Sequence, residues 1–138
     1  LIKRITLATG AVTVVAGADP DADGVGIPGY LDGSGAIAEI RNPDGLAMDG
    51  AGRLYTSDAS GYIREISFEG DVATVKTLAG SGTPPDGFAG DFHADGSGSD
   101  AKFQLPAGIW VRSVDTDTEI YVADYQNRRI RKIVVNRP

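Results

Sequence analysis

The chain has 138 residues, about the size of one domain, and its hydrophobic content of 41% is enough for a packed core. The formal net charge of −6 opposes non-specific attraction to nucleic-acid phosphates, and the absence of cysteine excludes disulfides and thiolate metal sites. No run approaches the roughly 20 apolar residues of a membrane span. Leu1 opens the chain without a signal-peptide pattern, so we expect a processed product or part of a longer protein.

Glycine and proline divide the sequence into short apolar segments. The 19 glycines and 7 prolines fall between segments that are rich in β-branched and aromatic residues, which predicts short strands joined by turns. Charged and apolar residues alternate in "REISF" and "IRKIVV", as in strands with one solvated face. The runs "GLAM" and "GIWV" are continuously apolar and predict strands that neighbouring sheets cover. In chain order the predicted strands are "IKRI", "VTVVAG", "GLAMD", "LYTSD", "YIREI", "VKTLAG", "GIWV", "IYVAD" and "RIRKI".

The order of these segments repeats. "DGSGAIAEIRNPDGLAMD" at 32–49 aligns with "DGSGSDAKFQLPAGIWVR" at 95–112, and "VTVVAG" at 12–17 aligns with "VKTLAG" at 75–80, each pair 63 residues apart. Each unit contains four short strands, which is the number of antiparallel strands in a propeller blade. The remaining alignments join 54–58 with 120–124, and 62–66 with both 129–133 and the third copy at 2–5.

The second unit, with "AKFQLPAGIWV", "IYVAD" and "NRRIRKI", resembles the NHL repeat, and the resemblance covers nearly the whole chain. It implies an all-β fold of propeller blades, each with antiparallel strands a to d counted from the propeller centre, in a six-bladed ring in most members. The first unit departs from the pattern at "LYTSD" and lacks the Asn before its basic strand. The predicted organisation is the last strands of a preceding blade in 1–17, a long loop in 18–31, blade 1 in 32–80, a second long loop in 81–94, and blade 2 without strand d in 95–138.

Two blades cannot curve into a ring, and a blade without strand d leaves an open edge that proteins normally pair or cover. We therefore expect a partial propeller that oligomerisation, as a trimer or an open filament, or a longer chain completes. The strand at 12–16 or the edge at 130–135 is predicted to make these contacts.

The loop "DPDADG" contains the candidate metal ligands. Asp19, Asp21 and Asp23 stand at alternate positions before Gly24, as at the start of a calcium loop, where alternate carboxylates converge on one hard cation. The bidentate Glu that should follow is absent, since Tyr30 stands there. Ca²⁺ is therefore the candidate cofactor, and a solvated turn is the alternative.

Two further loops combine residues that could bind metal, and both also fit solvated turns. In the first, carboxylates alternate between strands a and b; in the second, two aspartates flank the only histidine. One histidine cannot supply the several metal ligands of an amidating-lyase type of propeller. These residues are Asp115, Asp117 and Glu119, and Asp91, His93 and Asp95.

Other polar and aromatic positions are expected to be structural. Asp58 and Asp124 end strand b and are predicted to accept backbone N–H bonds in the next turn, the alternative being a ligand-facing position. The basic strand "NRRIRK" is predicted to be an outer solvated face instead of an RNA contact, and Trp110 to lie in the core. The aromatic residues expected to be exposed for binding or assembly are Tyr30, Phe88 and Phe92.

The favoured function is a non-enzymatic NHL-like module for protein interaction or self-assembly, with another copy or another protein as its partner. Nucleic acid and a membrane span are not expected. Acidity, lack of cysteine and the candidate Ca²⁺ loop favour an extracellular or cell-surface location. The alternative is a fragment of a metal-dependent propeller enzyme, such as a lactonase-like hydrolase, although the central strands offer it only Asp49, opposite Arg112.

Overall fold

The computed structural model describes residues 1–19, 25–82 and 92–137. These residues form β-strands and one short 3₁₀ turn, Gly98–Asp100, so the all-β prediction is confirmed. The strands are β1 Ile2–Thr6, β2 Ala11–Ala16, β3 Gly33–Ser34, β4 Pro43–Met48, β5 Leu54–Asp58, β6 Tyr62–Glu69, β7 Val72–Ala79, β8 Pro106–Val114, β9 Asp117–Asp124 and β10 Arg129–Val135.

The described strands assemble into three antiparallel sheets, which match parts of propeller blades. The N-terminal hairpin is β1 with β2; the first blade has the order β3-β7-β6-β5-β4; the second blade has the order β10-β9-β8. The first blade thus contains strands a to d as β4 to β7, with the short β3 added outside strand d. Among the described residues, the second blade contains strands a to c as β8 to β10, and β10 lies at the outer edge of this sheet.

The two blades share one pairing register. Tyr55 pairs with Glu65 between β5 and β6, and the aligned residues Tyr121 and Lys132 pair between β9 and β10. The same residue-by-residue agreement extends along both strand pairs. The sequence repeat is therefore a structural repeat, and a residue of one blade can be compared directly with its counterpart in the other.

Strand a begins in the same way in both blades. The residue before each proline, Asn42 or Leu105, has a left-handed φ of 47° or 46°. A register shift follows Pro43 and Pro106, where a residue without an N–H cannot continue the ladder. The turn into strand a is thus a repeated feature in spite of the different side chains that precede the prolines.

Two hydrophobic layers hold the sheets together. The first layer lies between the N-terminal hairpin and the first blade, and the second lies between the two blades. Each layer also includes two residues from the segment that precedes a strand a. The buried members are Ile2, Ala16, Ala38, Ile40, Ile66, Ala73 and Val75 in the first layer, and Tyr55, Ile63, Ala79, Ala101, Phe103, Ile120 and Val122 in the second.

The expectation that both a strands are fully covered is wrong. Leu46 and Met48 are exposed in β4, and Trp110, predicted to be core, is 58% exposed in β8. The inner strands contact each other closely, since a Cβ on Gly45 would lie 2.4 Å from the carbonyl oxygen of Ala107. This contact buries only one side of each strand, and Trp110 points to the other side.

Candidate interaction site

The first blade contains a buried arginine in strand c. Arg64 donates from Nη1 to the carbonyl of Glu39 and from Nη2 to the carbonyl of Leu31, both at 3.1 Å, and from Nη2 to Asp32 at 2.7 Å. Its Nη1 also lies 3.6 Å from Oδ2 of Asp58. The planar guanidinium with five donors can satisfy several acceptors at once. We call this set of contacts the arginine clamp. It holds residues 31–39, which precede strand a, against strand c.

The second blade repeats the arginine clamp with aligned residues. Arg131 donates to the carbonyls of Lys102 at 3.0 Å and Ala94 at 2.8 Å, to Asp95, and to Asp124 at 3.0 Å. The prediction that the basic strand is a solvated face is therefore wrong for Arg131, which is buried. Asp124 among these acceptors is fully buried, whereas the side chain of Asp95 is exposed to solvent.

The N–H bond predicted in the turn after strand b is present for Asp58, whereas Asp124 accepts a backbone N–H from the segment before strand a. Asp58 accepts the N–H of Ser60 at 2.8 Å and of Arg41 at 3.0 Å. Asp124 accepts the N–H of Gln104, which aligns with Arg41, at 2.8 Å. Burial raises the pKa of Asp58, although these N–H groups and the charge of the clamp arginine act in the opposite direction. Both carboxylates therefore anchor the segment before strand a.

The outer surface of the second blade combines aromatic and charged groups, and we call it the second-blade face. The rings of Trp110 and Tyr121 lie with centroids 5.5 Å apart. Glu119 accepts from Arg112 at 2.7 Å, from the Tyr121 hydroxyl at 3.0 Å and from Lys132 at 3.2 Å. These three donors, Arg112 first, lower the pKa of Glu119 to about 2. The face therefore has a fixed charge pattern beside an aromatic pair in which Trp110 is exposed and Tyr121 is half-buried.

Two apolar positions that are buried between sheets in the first blade are exposed in the aligned residues at the two ends of the stack of sheets. Ile63 is fully buried against the second blade, whereas its counterpart Ile130 on the second-blade face is 73% exposed. Ile66 is fully buried under the N-terminal hairpin, whereas its counterpart Ile5 on that hairpin is 61% exposed. The two ends thus present the two kinds of surface that bury each other within the chain.

One polar cluster has opposite charges in the two blades. Asp49 accepts from Arg53 Nε at 2.7 Å and from the Tyr55 hydroxyl at 2.9 Å. At the aligned positions of the second blade, Arg112 replaces the aspartate and Glu119 replaces the arginine. Burial alone would raise the pKa of Asp49, but the backbone N–H of Arg53, the tyrosine hydroxyl and the guanidinium lower it. The second-blade face therefore differs electrostatically from its counterpart.

A groove of about 460 Å³ runs along β10. Residues 131–136 form one wall and residues 95–98 form the other, while Ala101 and Phe103 contribute apolar surface. The end of β7 lies at one side through Leu78 and Ala79. The groove occupies the position beside strand c where strand d stands in the first blade.

The predicted calcium ligands fall largely outside the described residues. Asp19 is half-buried after β2, whereas Asp21 and Asp23 lie in the segment that the structure does not describe. Within 1–19, 25–82 and 92–137, no three histidine, aspartate or glutamate side chains are grouped so that they could hold a metal ion. Calcium at this loop therefore stays a prediction.

In the two other loops, Glu119 and Asp95 contact basic side chains, and Asp117 contacts a backbone N–H. Glu119 contacts three donors on the second-blade face, and Asp117 accepts the N–H of Arg137 at 3.4 Å. Asp95 contacts Arg131, and His93 is exposed. Asp91, together with Phe88, lies outside the described part of the chain.

The two described loop aromatics differ in exposure. Tyr30 is exposed, as expected, and its ring centroid lies 5.5 Å from that of Tyr62. Phe92 is half-buried, and both of its backbone groups hydrogen-bond the Asn127 side chain, at 3.1 and 2.8 Å. Tyr30 is therefore the more accessible group of the two.

The arginine clamps are the feature that sequence reasoning missed. The sequence repeat aligns Asp32 with Asp95, and it also aligns Arg64 with Arg131 in strand c. The signal that links them is that each aspartate precedes its arginine at nearly the same distance, 32 residues in one blade and 36 in the other. An aspartate and an arginine can repeat together because they bind each other.

Comparisons with known proteins find similarity over most of the chain. The chain is 32% identical over 142 aligned positions to Teneurin-4 of Homo sapiens and of Mus musculus, covering 92% of this chain and 5% of each relative. It is 28% identical to Protein SUPPRESSOR OF QUENCHING 1, chloroplastic, of Arabidopsis thaliana, covering 99% of this chain and 12% of that protein. No family model matches the chain.

Solved structures show the same fold. A protein of unknown function from Bacteroides thetaiotaomicron matches with a TM-score of 0.70 and 22% identity, over 96% of this chain and 30% of its own. A candidate phosphatase from the same bacterium matches with a TM-score of 0.64 and 20% identity, over 99% of this chain and 30% of its own. The chain thus spans less than a third of each of these proteins. The described residues contain no helix with the length and apolarity of a membrane span.

Proposed function

We propose that the chain is an NHL-like propeller segment that acts, without enzymatic activity, as a module for protein interaction or self-assembly. The observation that carries this proposal is the exposure of Ile130 and Ile5, whose counterparts Ile63 and Ile66 are fully buried between sheets. An apolar position that is buried in one repeat and exposed in the next indicates a surface that a further sheet covers.

The two exposed ends are different surfaces, so association between copies is head-to-tail. The second-blade face of one copy meets the N-terminal hairpin of the next, as the first blade meets the second within the chain. Such heterologous contacts close into a ring or continue as a filament, according to the rotation per copy. In this arrangement each copy contributes two blades and one hairpin to the stack of sheets. A sheet of another protein with the same exposed residues would serve equally as the partner.

The non-enzymatic part of the proposal rests on the central strands. Asp49, the carboxylate that a metal-dependent hydrolase would need there, is buried and hydrogen-bonded to Arg53 and Tyr55. The likeness to a candidate phosphatase is at 20% identity and concerns the fold. A propeller fold by itself does not specify a reaction. We place the module outside the cell or at its surface, on the basis of its acidic composition and the Asp-rich loop.

Sedimentation velocity over a hundredfold range of protein concentration tests the proposal. The chain should form assemblies heavier than its 14.3 kDa monomer as concentration rises. Ile130→Glu should reduce assembly, because it places a charge in the surface that the next copy covers. Ile37→Glu is the matched control, since Ile37 is also exposed but lies outside both end surfaces.

A folded monomer at every concentration, with no protein partner for the second-blade face, contradicts the proposed function. Equal losses of assembly in Ile130→Glu and Ile37→Glu would contradict the assigned surface, because any added charge would then suffice. Circular dichroism of both variants checks that the fold is unchanged.

A further inference from the structure

We infer that a pocket on the first blade binds an acidic sugar, with the rings of Tyr30 and Tyr62 against one face of the sugar and the Arg41 guanidinium on its carboxylate. None of the residues that line this pocket belongs to the second-blade face or to the N-terminal hairpin. The inference therefore goes beyond the proposed function and does not depend on it.

The pocket lies at the edge of the first blade where strand b turns into strand c. Its volume is about 820 Å³, in the range of small-molecule sites. The first blade has a described sheet packed on each of its faces, so the pocket belongs to an inner sheet of the stack. The described lining comes from the segment before strand a, the turn between strands b and c, the start of strand c and the residues after strand d: 28–30, 41–42, Ser60, Tyr62, and 81–82.

The lining combines flat rings with hydrogen-bonding groups. Tyr30 and Tyr62 have ring centroids 5.5 Å apart and ring planes inclined by 30°. Apart from these rings and Pro28, the described lining consists of polar side chains and glycine. A sugar ring matches this surface, because it has C–H groups on its faces and hydroxyls around its rim. A purely aliphatic ligand would leave the polar groups without partners.

Arg41 sets the charge of the ligand. It is the only charged side chain among the described lining residues, and in the described part of the chain its guanidinium forms no ion pair. A planar guanidinium binds a carboxylate through two parallel N–H bonds. The chain has a formal net charge of −6, so an unpaired arginine in a pocket stands out from its surroundings. One guanidinium suits the single negative charge of a sugar carboxylate.

Backbone contacts hold the pocket residues in place before any ligand binds. The N–H of Arg41 donates to Asp58 at 3.0 Å, and the carbonyl of Arg41 accepts the N–H of Ala59 at 3.2 Å. The Tyr62 hydroxyl lies against the backbone after strand d, since a Cβ on Gly82 would lie 2.9 Å from its oxygen. A site held in this way loses little backbone freedom on binding.

The second blade shows that the turn does not require these side chains. Gln104 takes the place of Arg41 and makes the same backbone bonds, donating to Asp124 at 2.8 Å and accepting the N–H of Gln126 at 3.2 Å. The blade therefore folds with either set of side chains, and the first-blade set is available for a ligand. The aligned pairs are Tyr30 with His93, Arg41 with Gln104, and Tyr62 with Arg129.

Fluorescence anisotropy with two labelled disaccharides tests the pocket. One disaccharide ends in glucuronic acid and the other in glucose, and both carry the label at the reducing end, so they differ only by a carboxylate in place of a hydroxymethyl group. The acidic disaccharide should bind, and the neutral one should bind about tenfold more weakly, because it lacks the charge-assisted hydrogen bonds to arginine.

Arg41→Gln introduces the residue that the second blade has at this position. It should reduce the difference between the two disaccharides to less than about threefold, mainly by weakening the acidic one. Arg128→Gln is the matched control, because it removes the same charge from an exposed turn of the second blade and should leave the tenfold difference intact.

Tyr30→His, again the second-blade residue, tests the aromatic wall. It should weaken both disaccharides alike, by about fivefold, because the ring contacts the sugar face and not the carboxylate. Tyr125→His replaces an exposed tyrosine outside the pocket and should change neither affinity. Circular dichroism checks that all four variants keep the fold, and the comparison of the two sugars on the unchanged chain stands without them.

Several results would overturn the sugar site: binding of neither disaccharide, equal affinity for both, or equal losses of selectivity in Arg41→Gln and Arg128→Gln. A peptide with a free C-terminal carboxylate that binds more tightly than the acidic disaccharide would overturn the assignment to a sugar. Sugar binding by a chain that stays monomeric would support the pocket and contradict self-assembly. Assembly without sugar binding would do the reverse.

Discussion

Replacing the clamp arginine of the first blade should be one of the most damaging single changes in the chain. Arg64→Met keeps much of the side-chain volume but removes every donor. The carbonyls of Glu39 and Leu31 lose their bonds to the guanidinium, and the fully buried Asp58 loses its nearest cation. Removing one partner of a buried ion pair costs about 3–5 kcal/mol, which is a large part of the stability of a domain.

The second blade provides an internal comparison for this experiment. Arg131→Met removes the same set of bonds, but Arg131 lines the open groove, where water can reach the groups that it leaves. We expect Arg131→Met to cost roughly half as much as Arg64→Met, since solvent screening weakens exposed ion pairs. Adding Asp58→Asn to Arg64→Met should restore part of the loss, because the uncompensated buried charge disappears.

Urea denaturation followed by far-ultraviolet circular dichroism measures these free energies of unfolding. The reasoning is refuted if Arg64→Met lowers the free energy of unfolding by less than about 1 kcal/mol, the range of exposed ion pairs. It is also refuted if Arg131→Met proves the more costly of the two. The slope of the unfolding free energy against urea must stay constant across the variants for the comparison to hold.

Three further predictions concern acid stability, backbone strain and metal. Burial would raise the pKa of Asp32, but Thr77 and the clamp arginine lower it. The contribution of the Asp32 carboxylate to stability is therefore complete above about pH 4 and is lost as pH falls through the lowered pKa. Asp32→Asn should flatten the acid limb of a curve of stability against pH. Leu105→Gly should stabilise the chain by up to about 1 kcal/mol in urea denaturation, because glycine adopts its left-handed φ without strain, and a loss would show that Leu105 makes contacts that outweigh the strain. If the aspartates of 19–23 bind Ca²⁺, the cation should raise the melting temperature, EDTA should reverse the rise, and no shift at millimolar Ca²⁺ removes the metal hypothesis.

The strands could be predicted because each appears at least twice in the sequence. The segment "YIREI" aligns with "RIRKI", and "LYTSD" aligns with "IYVAD", so the sequence defines the register of these strands as well as their positions. The pairing of Tyr55 with Glu65 and of Tyr121 with Lys132 agrees with this register. The short β3 is not predicted although "DGSG" also repeats, because these residues read as a turn until the neighbouring strand is in place.

The burial of the arginines could not be assigned from alternation alone, although alternation contained a hint. In "REISF", Arg64 lies on the same side of the strand as Ile66, so an inward-facing isoleucine requires an inward-facing arginine. A buried charge is unfavourable without partners, and its partners lie in segments far away in sequence. Trp110 gave the opposite error, since it was predicted to be buried and is exposed. A large aromatic residue indicates a core position even where its side of the sheet is open to solvent.

The arginine clamp has a consequence for how the chain folds. It joins residues 32 positions apart, in a chain that has no cysteine, and so closes a long loop without a covalent bond. The loop segment is held only after strand c has formed, so the segment, strand b and strand c of a blade gain their stability together. Each blade should therefore open and close as one cooperative unit, with the N-terminal hairpin as the first part to exchange its amide hydrogens with solvent.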